Sequence, residues 1–346
     1  MPTTMPTTMP PTMPTTTLAP AALPRHRQAW VCRAYGGPDQ LVLVQQPLAA
    51  PGRRQLLVQV AATTVESADV RIRSQTLPRG FGLIGRLVFG WRRPRQPVLG
   101  TVLAGTVVAV GPGVQGWQAG DAIVAATGAG GGAHASLAVV HAGRPIVRRP
   151  PGMSAAQAVA VVFGGQTALH FLDRAALRSG EHLLVIGATG AVGSALVQLA
   201  HARGASVTAL ASAGNLGLAR QLGASQALDY HQQPPAGLGA GQFDVVADTC
   251  AASSFGACLR LLRPGGRYLN IAGDLLSLLA RPRQGRRSIG GPAAEDSALL
   301  QQVLDLAARG SLVPVIDSTW PFADLPAAHA RAGSGHKRGS VVVQAG

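Results

Sequence analysis

The stretch LLVIGATGAVGSALVQLA, Leu183 to Ala200, carries no charged side chain over eighteen positions. About twenty apolar residues cross a bilayer, so length alone permits a membrane span. The internal order of residues argues otherwise. LLVIG has the length and β-branching of a buried parallel strand. Glycines follow at 187, 190 and 193, and SALVQLA then reads as a helix with an apolar face. Strand, glycine turn and helix together make half of a βαβ unit, with the spacing G-x-x-G-x-x-G of a dinucleotide-binding turn.

Each glycine has a physical task in this reading. Gly187 permits the tight turn, Gly190 lets the backbone approach a pyrophosphate, and Gly193 brings the helix close to the strand. The helix beginning near Ala191 and Val192 presents free N–H groups and its positive dipole end to the phosphates. Further apolar segments recur at 205–211 (ASVTALA), 227–228, 243–248 (FDVVAD) and 266–273 (GRYLNIAG), alternating with helical stretches such as LGLARQLG. The alternation predicts an α/β fold built on a doubly wound parallel sheet.

The chain has 346 residues, 47% of them hydrophobic and 13% charged, which allows two domains with substantial cores. Cys32, Cys250 and Cys258 stand at unrelated spacings and make neither a disulfide framework nor a zinc cluster. A reducing cytoplasm is the expected compartment. The net charge is +15, yet Lys337 is the only lysine, so an arginine-rich composition explains the charge better than a polyanionic partner. No nucleic-acid motif is present, and neither a nucleic-acid nor a membrane partner is expected. Arginines cluster at 92, 93 and 95 and at 281, 283, 286 and 287, where a solvated face is the plainer reading.

The N-terminus repeats MPTT-like units with no charge before Arg25, and it is expected to be a disordered tail over 1–28. Between 29 and 154, short strands such as LLVQVAATTV, VLAGTVVAVG and DAIVAAT alternate with Gly/Pro turns, as in a compact β domain. The dinucleotide domain follows over 155–291. The terminal RGSVVVQAG is a strand that returns to the first domain, giving it a second part over 292–346. A ligand cleft is expected between the two units.

The segments VLGTVLAGTVVAVGPGV, GDAIVA, FGGQTALHFL, LLVIGATGAVGSALVQLA, LGASQALDY and GHKRGSVVV, in that order, resemble the medium-chain dehydrogenase/reductase superfamily, and within it the zinc-independent quinone oxidoreductase branch. The resemblance covers about Ala29 to Val343. It implies a GroES-like β domain joined to a Rossmann domain, and hydride transfer between a nicotinamide and a carbonyl-type substrate. Zinc-dependent relatives carry a cysteine where this chain reads TTVESADVR, and Gly-His-Glu where it has Gly100, Thr101 and Val102. A catalytic zinc takes about three protein ligands, so metal-free catalysis is expected. His26, His329 and His336, in terminal segments, read as surface residues.

Ala211 and Ser212 stand where relatives preferring NADH carry an acid after the second strand, so NADPH is the expected cofactor, with NADH admitted. Gly187, Gly190, Ala191, Val192 and Gly193 form the expected cofactor site with Ser212 and Asn215. Thr167, beside the nicotinamide or as a helix N-cap, and Gly273, at the end of the fifth strand, complete it. Arg220 is either a phosphate contact or an exposed helix charge.

On the substrate side, Glu66 and Arg71 replace the Asn and Tyr of the quinone-reductase pattern, and Asp69 is retained. Either Glu66 and Arg71 pair structurally, or Arg71 polarises a carbonyl while Glu66 or a water supplies the proton. The apolar segment 80–91 is expected to roof the cleft, and 275–287 to be a mobile loop beside it. The expected partner is a small hydrophobic quinone or carbonyl substrate, and a homodimer is admitted. Competing readings are an enoyl reductase for thioester-linked substrates and a non-catalytic NADPH-binding protein.

Overall fold

The computed structural model describes residues 24–345, so the tail over 1–23 lies outside the described residues. The opening strand, His26–Cys32, begins inside the segment expected to be tail, because it pairs antiparallel with Leu41–Pro47.

Six parallel strands form one sheet in the spatial order Gln226–Asp229, Ser206–Ala211, His182–Ile186, Phe243–Asp248, Leu262–Asn270, Arg287–Gly290. Chain direction across the sheet reverses between His182–Ile186 and Phe243–Asp248, and ligands bind at the carboxyl ends of strands flanking such a point. Leu183, Leu184 and Val185 of the central strand are wholly buried, which is why that stretch alternates no polar residue. The sixth strand arises from an arginine-rich segment whose only buried large apolar residue is Ile289. Of the expected loop 275–287, Leu275–Leu278 form a one-turn helix capped by Asp274, residues 279–286 lie outside helix and strand, and the edge strand begins at Arg287.

A second, seven-stranded sheet holds Gln55–Val65 against Val102–Val110 and Leu137–His141, and extends through Ala122–Ala126 to Ile146–Arg148. Its other edge is the terminal strand Ser340–Gln344, antiparallel to Gln55–Val65, with Ile316–Pro321 beyond it. The chain end therefore does return to the first sheet. Leu56, Val58, Leu103, Val107 and Ile123 fill this sheet's own core.

Between the sheets runs the helix Ala155–Ala175, started by a capping box in which Ser154 and Gln157 bond each other's backbone N–H. Its 21 residues are apolar enough to cross a membrane, but 72% of its most apolar window is buried inside the protein, as expected of a core helix. Ser340 Oγ donates to Ala160 O at 3.0 Å, and Gly339 N donates to Thr189 O at 2.8 Å. The first bond ties the C-terminal segment to the central helix, and the second ties it to the glycine turn. The helix Ser297–Ala308 also packs on this central helix, through Val303 and Leu300.

Candidate active site

A cleft of about 930 Å³ opens between the two sheets, lined by Arg71 and Phe89 on one side and by Gly187, Gly190 and Cys250 on the other. His336 and Lys337 close it from the C-terminal segment.

The cofactor wall is made by backbone. Gly187 adopts φ +79°, and a Cβ there would lie 2.6 Å from Thr249 Oγ1. A Cβ at Gly193 would overlap the Gly187 carbonyl oxygen, so this glycine serves helix–strand contact. Gly190 differs: its nearest protein atom from such a Cβ would be Gly187 O at 3.7 Å, and no packing demand explains the residue. It caps the helix Ala191–Ala202 without a side-chain bond, leaving N–H groups directed to the cleft. Gln166 Nε2 and Asn215 Oδ1 are buried polar atoms without partners among the described residues, and both residues border the cleft. Unpaired buried groups are costly, and a polar dinucleotide laid along this wall would satisfy them. The site fits such a cofactor.

Ala191, Val192, Ser212 and Asn215 line the cleft as expected, and Asn215 also donates to Thr189 Oγ1 at 3.3 Å. Thr167 lines it too, but from mid-helix: its hydroxyl donates to Phe163 O at 2.8 Å, and Ser154 is the N-cap. Gly273 does not line the cleft. The fifth strand stops at Asn270, Ile271 and Ala272 reach the cleft, and Gly273 makes room for the Asn270 side chain. Arg220 is an exposed helix charge. A cation does approach the second strand's end, from an unexpected direction: Arg338 Nη2 lies 3.5 Å from Gly214 O.

The substrate wall rearranges the expected trio. Glu66 is fully buried and pairs with Lys337 Nζ at 3.2 Å, not with Arg71, and it does not line the cleft. Its other oxygen has no partner among the described residues, and Lys337 also donates to Gly339 O at 2.6 Å. Asp69 is likewise buried, accepting from the N–H groups of Glu66 at 2.8 Å and Gly100 at 3.2 Å. Burial pushes its carboxyl up to about 7, against those two bonds. Arg71 alone reaches the cleft. Its guanidinium makes no hydrogen bond or ion pair among the described residues, and burial lowers its pKa from the usual range. Opposite it, desolvation at the cleft and the Asp248 carboxylate push the thiol of Cys250, an otherwise exposed residue, above its ordinary range, so this cysteine stays protonated.

Segment 80–91 only partly roofs the cleft. Phe89 faces inward, as do Leu77 and Pro78 just before the segment, whereas Leu83, Ile84, Leu87 and Val88 of the helix Gly82–Phe89 are exposed. His329 is not a surface residue. It is fully buried, edge-on to His134 with ring centroids 5.3 Å apart. His336 borders the cleft but belongs to no ligand set. Among the described residues no three His, Cys, Asp or Glu side chains gather as a metal site.

Lys337 and Arg338 were the residues sequence reasoning missed. A signal existed for the former, as the single lysine in a chain with 30 lysines and arginines.

Comparison with known proteins agrees with this architecture. The alcohol dehydrogenase GroES-like domain family matches residues 52–165, and the zinc-binding dehydrogenase family matches 222–343. A chloroplast envelope quinone oxidoreductase homolog of Arabidopsis thaliana is 30% identical over 331 residues, covering 89% of this chain and 95% of that protein. The spectinabilin polyketide synthase system protein NorB of Streptomyces orinoci is 35% identical over 86% of this chain, which spans only 14% of NorB. An alcohol dehydrogenase superfamily protein from Novosphingobium aromaticivorans shares the structure with a TM-score of 0.74 and 27% identity, over 92% of this chain and 100% of that one. Since one of these relatives is matched almost from end to end, the chain belongs to the medium-chain dehydrogenase/reductase superfamily, as a quinone-oxidoreductase-like member.

Proposed function

We propose that this protein is an NADPH-dependent oxidoreductase that reduces quinones or activated alkenes and carbonyls without zinc. Membership of the family supports a nicotinamide cofactor, which when bound supplies the hydride. Arg71 carries the rest of the reading, as a guanidinium in the cleft with no partner among the described residues. Reduction of a quinone or enone develops negative charge on oxygen, and a cation already positioned in the cleft stabilises it. Phe89, Phe163 and Leu77 give that cleft the apolar lining a hydrophobic acceptor needs. Glu66, turned away, leaves solvent to deliver the proton.

Two observations support NADPH over NADH. Ser212 stands where an acid would repel a 2′-phosphate, and Arg338 stands beside Gly214 in the neighbouring turn. Zinc independence is supported by the missing cysteine in TTVESADVR and by Gly100, Thr101 and Val102 where zinc-dependent relatives carry Gly-His-Glu. The three free thiols suit a reducing cytoplasm. A second reading, an enoyl reductase for thioester-linked substrates, is favoured by the similarity to NorB.

The test is NADPH oxidation with free quinones, enones and acyl-thioesters, each with and without chelator. Turnover on quinones or free enones, unchanged by chelation, is expected. Turnover confined to thioesters selects the second reading. Tight NADPH binding with no turnover on any acceptor overturns both.

A further inference from the structure

The helix Gly82–Phe89 turns its apolar face outward. Leu83, Ile84, Leu87 and Val88 are 63%, 46%, 59% and 55% exposed, whereas Gly85 is the helix's buried residue. At spacings of one and four, these four side chains occupy a single face. Trp91, at the helix's end, is 59% exposed, with the Arg86 guanidinium 5.5 Å from its ring centroid. The patch continues onto the segment after the fifth strand. Leu275 N donates to Arg79 O at 3.0 Å, which sets the 82% exposed Leu276 and 69% exposed Leu279 beside it. Exposed apolar side chains gathered in this way mark an interaction site.

Apart from Asp274, which caps the helix Leu275–Leu278, the charged residues around the patch are arginines. Arg79, Arg86, Arg92, Arg93, Arg95 and Arg281 are exposed, and none is in an ion pair among the described residues. No acidic residue occurs between Asp69 and Asp121, nor between Asp274 and Glu295, so both segments forming the patch are free of acid. An apolar face with an arginine rim and an edge tryptophan complements an anionic lipid surface, with aliphatic side chains among the acyl chains and guanidinium groups at the headgroups. A second copy of the chain fits worse, because a symmetric contact would oppose two arginine-rich rims.

We propose that this surface, the helix Gly82–Phe89 with Trp91, Leu276 and Leu279, docks the protein peripherally on an anionic bilayer. Composition alone predicts no membrane partner, because the surface forms only where the segments around Arg79 and Leu275 meet in the fold. Leu77, Pro78 and Phe89, at the two ends of the same segment, line the cleft, so docking brings the cleft mouth to the bilayer, where lipophilic acceptors are dissolved.

The experiment is co-sedimentation with phosphatidylcholine vesicles, with and without phosphatidylglycerol, at low and high salt. It reads binding without turnover, so its result stands apart from the identity of the acceptor. Wild type is expected to sediment with the anionic vesicles and to be released by salt. Leu83→Asp with Leu87→Asp should abolish binding, and Arg92→Glu with Arg93→Glu should weaken it on the order of tenfold, without loss of melting temperature because all four side chains are exposed. Absence of wild-type binding to anionic vesicles overturns the proposal. So does equal binding by both double variants, or a concentration-dependent dimer dissolved by Leu83→Asp with Leu87→Asp, which would make the patch a contact between copies.

Discussion

On the cofactor wall, Gly187, Gly190 and Gly193 do their work within seven consecutive residues and without side chains. On the facing wall, Glu66 meets Lys337 across 271 positions of sequence, and that meeting decides which neighbour is left for the substrate. Local backbone demands leave a spacing in the sequence. A side-chain partnership leaves none, because either Arg71 or Lys337 satisfies Glu66 equally well on paper. With Lys337 taking the carboxylate, Arg71 becomes the one cation of the substrate wall that is left without a partner among the described residues.

The largest expected effect falls on the long-range side. Lys337→Met should cost about 3–5 kcal/mol, since it strands a carboxylate that is 0% exposed. Adding Glu66→Gln should recover most of that loss. Urea unfolding of the two variants checks it, and an unaltered midpoint for Lys337→Met would show that the pair contributes nothing.

Within the cofactor wall the glycines should separate. Gly193→Ala forces a Cβ onto the Gly187 carbonyl and should destabilise the fold by roughly 1–3 kcal/mol. Gly190→Ala should leave the melting temperature unchanged yet weaken cofactor binding about tenfold or more, because its open side faces the pyrophosphate path. Calorimetric titration beside thermal melts distinguishes the two. Equal behaviour would mean that Gly190 is a packing residue after all.

Arg338→Ala probes the cation that arrives from the C-terminal segment. Loss of a charge-assisted contact should weaken NADPH about tenfold while leaving NADH unaffected, and Ser212→Asp should shift preference in the same direction. A parallel drop for both cofactors would remove Arg338 from 2′-phosphate recognition.

The smallest effect concerns the buried imidazoles. Burial holds His329 well below the usual range and His134 at about 4. Unfolded histidines bind protons near 6.5, so these two contribute full stability above that pH, and the contribution is lost as pH falls towards 4. Asp69, raised to about 7 by burial, acts in the opposite sense over the same interval. The readout is therefore the difference in slope: His329→Leu should lose less stability on acidification, by at most about 1.4 kcal/mol per pH unit. Parallel pH profiles for the variant and wild type would contradict a buried neutral His329.

The parts of this fold that sequence carried were those with a period or a fixed turn. The central strand, the glycine turn and the returning terminal strand all follow from local pattern. The sixth strand did not, because Arg287–Gly290 is an edge strand with one buried apolar side chain and no alternation to read. Gly273 was misplaced for a related reason: its backbone makes room for Asn270 three residues earlier, which apolar patterning cannot distinguish from contact with a ligand. His329 looked like a surface residue because its burial depends on the packing of helix Leu325–Gly333 against Gln55–Val65 and Ser340–Gln344, not on its own neighbours.

The most direct measurement compares Arg71→Ala with Glu66→Gln in steady-state NADPH oxidation across pH, alongside the NADPH dissociation constant and melting temperature of each. Arg71→Ala should lower kcat by about 10²–10³ with NADPH affinity and melting temperature unchanged. Glu66→Gln should retain the wild-type pH profile, because its carboxylate faces Lys337 and not the cleft. Wild-type kcat in a folded Arg71→Ala enzyme, or a pH limb abolished by Glu66→Gln, would contradict the assignment of the substrate wall.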